Sequence, residues 1–466
     1  MPWWAWGAPT IRVALAIHAS SFDVACPSGL EVVDASGGEI LSGLSASFRA
    51  DRSGIMVNGF PTDDDRVTLR SKGPFWVSKH RYRGILEIRK NENFIDAINL
   101  VDIEKYLYSV IGSEMSPSWP SEALKSQAVV ARTYALKKKE ERKALSFDVV
   151  SSFADQAYEG MGSETSATQS AAEITRGEVL YYQNALITAY YSADCGGKTE
   201  KGENVFPGPL PYLQSVICPY GSDSPYQHWT KSYSFYELSE RLGRSIFGIA
   251  LRKDLETDRA AEVKLDTGGG PMVLAGFLFR KLLGTRDLRS TQFDLTETKK
   301  TVLAPREEAI SFEKKGLSVL SRFLVRVEKP FERPVMESVP EEKKVYLIHE
   351  SGALSEGEVS RENPIVAISS GGILFPVHHP LWAISSSVRF FSQKFKIPNS
   401  LIHGGHKGLK WVPLEVPVSV TFWGKGWGHG VGLCQWGSRG MALIGKGYRD
   451  ILHYYYKDIE LRKIYD

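Results

Sequence analysis

Glu114 stands in the run Ser113-Glu-Met-Ser-Pro-Ser-Trp-Pro120, with Met115 and Trp119 as apolar neighbours that could shelter its carboxyl. A carboxylate taken out of water loses the solvation of its charged form. Its pKa therefore rises, and it can hold a proton towards neutral pH. Such a group can protonate a leaving oxygen and take a proton back afterwards. The plainer alternative is a carboxylate that faces the start of the next helix, where the macrodipole favours negative charge. No second acid accompanies Glu114 in its motif.

A second constellation is Trp423-Gly-Lys-Gly-Trp-Gly-His-Gly-Val-Gly-Leu-Cys-Gln-Trp-Gly437, with six glycines in fifteen residues. Each glycine costs entropy on ordering, so the run implies a loop that needs close backbone approach. His429 and Gln435 supply hydrogen-bonding groups there, and Trp427 and Trp436 offer flat apolar faces of the kind that pack on sugar rings. A phosphate loop is the obvious rival. This run lacks Gly-Lys-Ser/Thr, and Gly197-Lys-Thr199 has Ser192 where the leading glycine should be. Ser192-Ala-Asp-Cys-Gly-Gly197 reads as a strand end whose paired Gly196 and Gly197 would let backbone amides approach a ligand, or simply make a turn.

The elements that must hold these residues are legible in outline. Pro120 suits the first turn of a helix, and Leu124, Ala128, Ala131 and Ala135 then recur at three- and four-residue steps. Gln127, Arg132 and Tyr134 are polar groups set along this helix, which implies that something polar faces it. Lys137 to Lys143 is a charged run that reads as its solvated end. Residues 8–100 are mostly β, from the alternating Ile11-Arg-Val-Ala-Leu-Ala-Ile17 to Asp96-Ala-Ile-Asn-Leu-Val101. Gly177 to Tyr182 and Ala185 to Tyr191 read as a strand pair, and Tyr448 to Tyr456 as a helix. The expected organisation is α+β, in four parts. A β-rich N-terminal layer (8–100) leads into an α+β core with a long helix (101–294). An inserted β-rich module (295–417) follows, and a Gly-rich loop with a C-terminal helix (418–466) completes the core.

Composition sets bounds. The 466 residues are 42% hydrophobic and 24% charged with a net charge of +3, which argues against disorder and gives no cationic stripe for nucleic acid. No stretch is long and apolar enough to span a membrane. Met1-Pro-Trp-Trp-Ala-Trp-Gly7 lacks the pattern of a secretory leader, so either a leader precedes it or the protein stays inside. Of four cysteines, Cys195 and Cys218 flank a Gly/Pro-rich excursion and could close it as a disulfide. A metal site with His228 as third ligand is the alternative, and free thiols are a third. Cys26 and Cys434 read as small buried apolar residues.

Together these motifs resemble the stage II sporulation protein D family, which includes the amidase-enhancer proteins and whose active members are lytic transglycosylases of peptidoglycan. The matching elements are Tyr82-Arg-Gly84, Glu104-Lys-Tyr-Leu107, Ser113-Glu-Met115, the Ala123 to Ala135 helix, Ser192 to Thr199, Pro211-Tyr-Leu213, Leu288-Arg-Ser-Thr291 with Phe293, and Gly426 to Gly437 with Ile451 to Tyr456. They run in order along nearly the whole chain. The resemblance implies that Glu114 is the catalytic acid and base. It implies too that Arg132, His429 and Gln435 lie around a glycan cleft, which Gln127, Tyr134, Ser192, Gly196, Gly197, Trp427 and Trp436 would complete.

Ordinary glycoside hydrolysis uses two carboxylates. A lytic transglycosylase needs one, because the C6 hydroxyl of N-acetylmuramic acid is the nucleophile and closes a 1,6-anhydro ring. The implied partners are peptidoglycan glycan strands, preferably stripped of stem peptides, and a cell-wall amidase. The implied location is extracytoplasmic, and no cofactor or metal is called for. Two other readings stand beside this one: a non-catalytic wall binder that recruits or stimulates an amidase, and an intracellular carbohydrate-binding protein. The segment 295–417 is longer than the family leads one to expect.

Overall fold

In the computed structural model the described residues are 8–305 and 411–466, with four three-residue strands, 346–348, 354–356, 366–368 and 374–376, between them. Residues 1–7, where a leader was sought, and most of the 295–417 module lie outside the described residues.

Alternation in the first hundred residues produces strands that bury one face. In Thr10–Ala19, Ile11 and Val13 are fully buried while Thr10 is exposed. These strands build an eleven-stranded sheet. Thr10–Ala19 pairs antiparallel with Phe94–Asp102 and parallel with Val149–Val150, and Phe94–Asp102 continues through Ile85–Asn91 and Arg66–Ser71 to Phe22–Val33 and Glu39–Ala50. Asp102 ends its strand and accepts hydrogen bonds from the N–H groups of Glu104 and Lys105. This cap turns the chain at once into helix α1, Ile103–Glu114.

Helix α2, Ser121–Glu141, follows a six-residue link and is buried along most of its length. Its alanines let α1 and the later helices approach closely. Helix α3, Ser166–Ile174, starts from a capping box between Thr165 and Thr168. Near the C-terminus, α6 (Gln435–Leu443) and α7 (Tyr448–Tyr455) pack on the same core, and Glu460–Lys463 closes it by pairing antiparallel with Glu178–Tyr182. The fold is α+β.

A second hydrophobic cluster runs from Trp229 to Phe293 and takes in Val420 and Phe422. It contains α4 (Phe235–Leu242), α5 (Gly276–Leu283) and the meander Ile246–Lys253, Ala260–Thr267, Gly270–Ala275. Phe293–Pro305 pairs with Trp411–Gly424 from Phe293↔Gly424 to Pro305↔Trp411. The divisions expected at 294/295 and 417/418 therefore fall inside two strands of one ladder, and the described chain leaves the first core at Trp229. The strand expected over Ala185 to Tyr191 is interrupted too. Ala185–Leu186 pairs with Tyr181 and Tyr182, whereas Tyr191–Ser192 pairs in parallel with Leu433–Cys434. Between them the carbonyl of Tyr190 accepts from Tyr456 Oη at 2.7 Å and from the N–H of Leu433 at 3.2 Å, the bond that opens the parallel pairing.

Candidate active site

Glu114 is the last residue of α1, not part of the entrance to α2. The chain leaves the helix in extended conformation at Met115, and α2 begins behind Pro120 with no side-chain cap. Glu114 therefore does not cap α2; its carboxyl instead meets Gln435, the first residue of α6. Its carboxyl lies at the negative end of a helix dipole, which favours the protonated form. It is part-buried, and burial raises its pKa above the ordinary value. Three donors pull the other way: the Ala157 N–H at 2.9 Å on Oε1, the Gln435 amide at 3.3 Å on Oε2, and the Tyr191 phenol. The net shift is upward. Among the described residues no cation pairs with Glu114.

Tyr191 is itself held. Its hydroxyl accepts from Gln156 Nε2 at 3.3 Å, and Gln156 Oε1 accepts from Tyr106 Oη at 3.0 Å. Burial lifts the Tyr191 pKa well above its usual value, so the phenol keeps its proton and donates it to the carboxylate. Ala157, Gln156 and Tyr191 were missed in the sequence. Two of them lie in the irregular stretch between α2 and α3, and their roles come from one backbone N–H and two-step contacts that spacing does not encode. Asp155, two residues before Ala157, is engaged elsewhere: it accepts from Arg142, from Tyr134 Oη at 2.8 Å and from the N–H of Val150 at 2.9 Å.

Of the expected cleft residues, Gln435 reaches Glu114. It opens α6 behind the Leu433–Cys434 strand, so the Gly-rich segment is loop only from Lys425 to Gly432. Trp436 follows, edge-on to Trp119 at 4.8 Å with Arg439 over its ring. Trp427 is half-buried against Tyr226, with Arg289 over its face. His429 is held as a neutral imidazole: Nδ1 accepts from the Val431 N–H at 3.0 Å, and the ring also bonds the Tyr191 backbone. Burial, with Arg280 and Arg259 nearby, lowers its pKa to about 3. It is not a proton donor at ordinary pH.

Among the described residues no hydrogen bond joins the other expected residues to the Glu114 carboxyl. Arg132 is fully buried in an ion pair with Glu104, Nε to Oε1 at 2.8 Å and Nη2 to Oε2 at 2.6 Å, and it also donates to the carbonyls of Ala172 and Glu178. Among the described residues Gln127 is fully buried with both amide atoms unpartnered, the Ser192 hydroxyl is buried without a partner, and Tyr134 is spent on Asp155. Gly196 is packed against Gln292 and Lys425, while Gly197 faces open space.

The glycines of the loop serve the protein's own packing rather than a ligand's approach. A Cβ at Gly430 would run into the buried guanidinium of Arg259, and one at Gly432 into the carbonyl of Tyr190. A shallow cavity of about 370 Å³ lined by Asp23, Ser45, Asn58, Trp76 and neighbours lies in the N-terminal sheet and shares no residue with the Glu114 constellation.

The cysteine expectation is also revised. Cys195 and Cys218 form no disulfide, and the four cysteines are buried free thiols. Cys434, read as an apolar filler, brings its sulfur to those of Cys195 and Cys218, all within 4.8 Å of one another, and His228 stands outside the group. Hydrogen bonds from Cys195, Cys434 and Tyr455 hold the Cys218 thiol well below its ordinary pKa, while the bond with Cys218 pushes Cys195 up and burial pushes Cys434 up.

Residues 91–182, which contain α1, α2 and α3, match the Stage II sporulation protein family. An uncharacterised protein of Brachyspira hyodysenteriae is 26% identical over 88% of this chain and 80% of its own length. Stage II sporulation protein D of Bacillus amyloliquefaciens is 28% identical over 53% of the chain and 72% of its own. The amidase enhancer of Bacillus subtilis is 39% identical over 29% of the chain, which is 18% of the enhancer.

Proposed function

For a chain that belongs to the stage II sporulation protein D and amidase-enhancer family, we propose the activity of a lytic transglycosylase acting on peptidoglycan with Glu114 as its single acid and base. The carboxylic acid of Glu114 protonates the glycosidic oxygen between N-acetylmuramic acid and N-acetylglucosamine, and the C1–O bond breaks. The resulting carboxylate then removes the proton from the muramyl C6 hydroxyl as that oxygen closes on C1. No water is consumed, and Glu114 ends protonated as it began. The 1,6-anhydro end and the freed 4-hydroxyl account for every atom.

The observation that carries this reading is a part-buried carboxyl of raised pKa, unpaired with any cation among the described residues, yet oriented by three donors. A carboxyl meant only for stability would more often be ion-paired, as Glu104 is with Arg132. Trp119 and Trp436, edge-on to each other next to Gln435, supply part-buried ring surface for sugar rings. The substrate class assigns the protein to the extracytoplasmic side of the membrane. Among the described residues no helix is long and apolar enough to cross one.

The likeness to an amidase enhancer favours a second reading: a wall binder that stimulates a separate amidase. One experiment separates the two. Purified protein is incubated with intact and with amidase-stripped peptidoglycan, and the released sugars are analysed by mass. The first reading expects anhydro-muramyl ends, more from the stripped glycan. Binding to glycan with no new ends, together with faster release of stem peptides by an added amidase, would assign the second.

A further inference from the structure

Cys195 follows the Tyr191–Ser192 strand, Cys218 lies in the segment that returns after Pro211, and Cys434 caps α6. We infer that their three sulfurs form a structural binding site for a thiophilic metal ion, with zinc as the cation of choice, set directly behind the Glu114 constellation. Zinc–sulfur bonds of about 2.3 Å place tetrahedral sulfur ligands about 3.8 Å apart. The three sulfurs already lie within 4.8 Å of one another and are fully buried, so small side-chain rotations bring them to the spacing of three of the four tetrahedral ligands.

Two independent features fit a metal better than a disulfide. The first is the set of donors to sulfur. The N–H groups of Cys195 and Gly437 both point at Cys434 Sγ at 3.3 Å, and Tyr455 Oη lies 3.0 Å from Cys218 Sγ. Such outer bonds stabilise thiolate ligands. A disulfide would join two sulfurs and leave the third without a purpose. Gly437 makes the room: a Cβ there would stand 2.5 Å from Cys218 Sγ.

The second feature is charge. Arg259 is fully buried, donates to the carbonyls of Cys195 and Lys198, and keeps an unpartnered Nε, with no ion pair among the described residues. Three thiolates around a divalent cation carry one net negative charge, and Arg259 beside Cys195 balances it. Cys434 immediately precedes Gln435, so the site would fix the residue that touches Glu114.

The test uses the full chain, purified under reducing, anaerobic conditions without chelator. Its metal content is measured, the apoprotein is titrated with Zn²⁺ against a chromogenic competitor, and Co²⁺ is substituted to read thiolate-to-metal charge-transfer absorption. The expected result is about one zinc per chain, a cobalt spectrum with three-thiolate intensity, and an affinity lowered by about 100-fold or more in Cys434→Ser. Cys26→Ser, outside the cluster, should bind as the wild type does. If Cys434→Ser fails to fold, the wild-type cobalt spectrum still decides the point. Absence of zinc uptake by the reduced folded chain, unchanged uptake in Cys434→Ser, or a Cys195–Cys218 disulfide in the anaerobic preparation would each overturn the site. None of these readouts depends on transglycosylase activity.

Discussion

The amide of Gln435 donates to Oε2 of Glu114 at 3.3 Å, joining the exit of α1 to the entrance of α6 across 321 positions of sequence. This contact ties the helix that follows the Gly-rich loop to the Glu114 carboxyl. It also holds down a pKa that burial raises. Removing the donor in Gln435→Ala therefore raises the Glu114 pKa further, and the acid form persists to higher pH. Activity measured as anhydro-end release should show its alkaline limb displaced upward, with a lower maximum because orientation is lost. A limb displaced downward, or left in place, would contradict the role given to Gln435.

Glu114→Gln keeps the shape of the side chain and an oxygen for the Ala157 N–H, but has no proton to transfer. Release of anhydro-muramyl ends should fall by at least about 10²–10⁴-fold, the usual contribution of a general acid or base, with glycan binding retained. Stability supplies a second readout. A carboxyl whose folded pKa lies above its unfolded one stabilises the fold fully at pH below the ordinary carboxylate value. That contribution is lost as pH rises through the folded value. The amide of Glu114→Gln carries no such dependence, so the Tm of the variant should gain on that of the wild type as pH rises from the ordinary carboxylate range towards neutrality. Parallel Tm curves would mean that the Glu114 pKa is not raised.

How far the sequence revealed this site depended on which physical rule was at work. The α2 helix was legible because its small residues recur at helical steps, and Glu114 because its motif is distinctive. Its position at the end of α1 was not read, although Ile103, Tyr106, Leu107, Val110 and Ile111 recur at helical steps and are buried, because that helix starts directly from a strand end through the Asp102 cap. The glycines were recognised as a close-packing signal but assigned to a ligand. Their neighbours, Arg259 and the Tyr190 carbonyl, come from segments far away in the chain. Arg132 looked like a cleft residue since a cation on an alanine-rich helix asks for a polar partner. The partner is Glu104, 28 residues earlier. Cys434 could not be joined to Cys195 and Cys218 from spacing, because a parallel pairing of two-residue strands brings them together.

His429 offers a pH test of a different sign. Its folded pKa is lowered to about 3, against an ordinary value of 6.5. The folded state therefore keeps it neutral, while the unfolded chain takes up a proton below its ordinary pKa. Its contribution to stability is present above about 6.5 and is lost as pH falls through the window down to about 3. In His429→Gln, whose amide can still accept from Val431 and donate to the Tyr191 backbone, the acid-side decline of Tm should be shallower. Nuclear magnetic resonance titration of the wild-type ring should show no protonation at neutral pH, and a midpoint near its ordinary value would refute the assignment.

Arg132 provides the sharpest separation of structure from function. The guanidinium fills the space between Glu104, the carbonyls of Ala172 and Glu178, and Thr175, all out of solvent. Tyr465 Oη supplies one further bond to Glu104 at 2.6 Å. Arg132→Met leaves the Glu104 carboxylate buried with that phenol and the N–H of Gly177 as its remaining partners, a loss of about 3–5 kcal/mol by comparison with other broken buried pairs. That is a large part of the total stability of about 5–15 kcal/mol of an ordinary domain, so soluble yield and Tm should fall steeply. Adding Glu104→Gln to Arg132→Met removes the stranded charge and should recover part of the loss. In the double variant KM for stripped glycan should match the wild type, because neither group meets the substrate. An Arg132→Met chain with wild-type Tm and weakened glycan binding would put the guanidinium back in the groove.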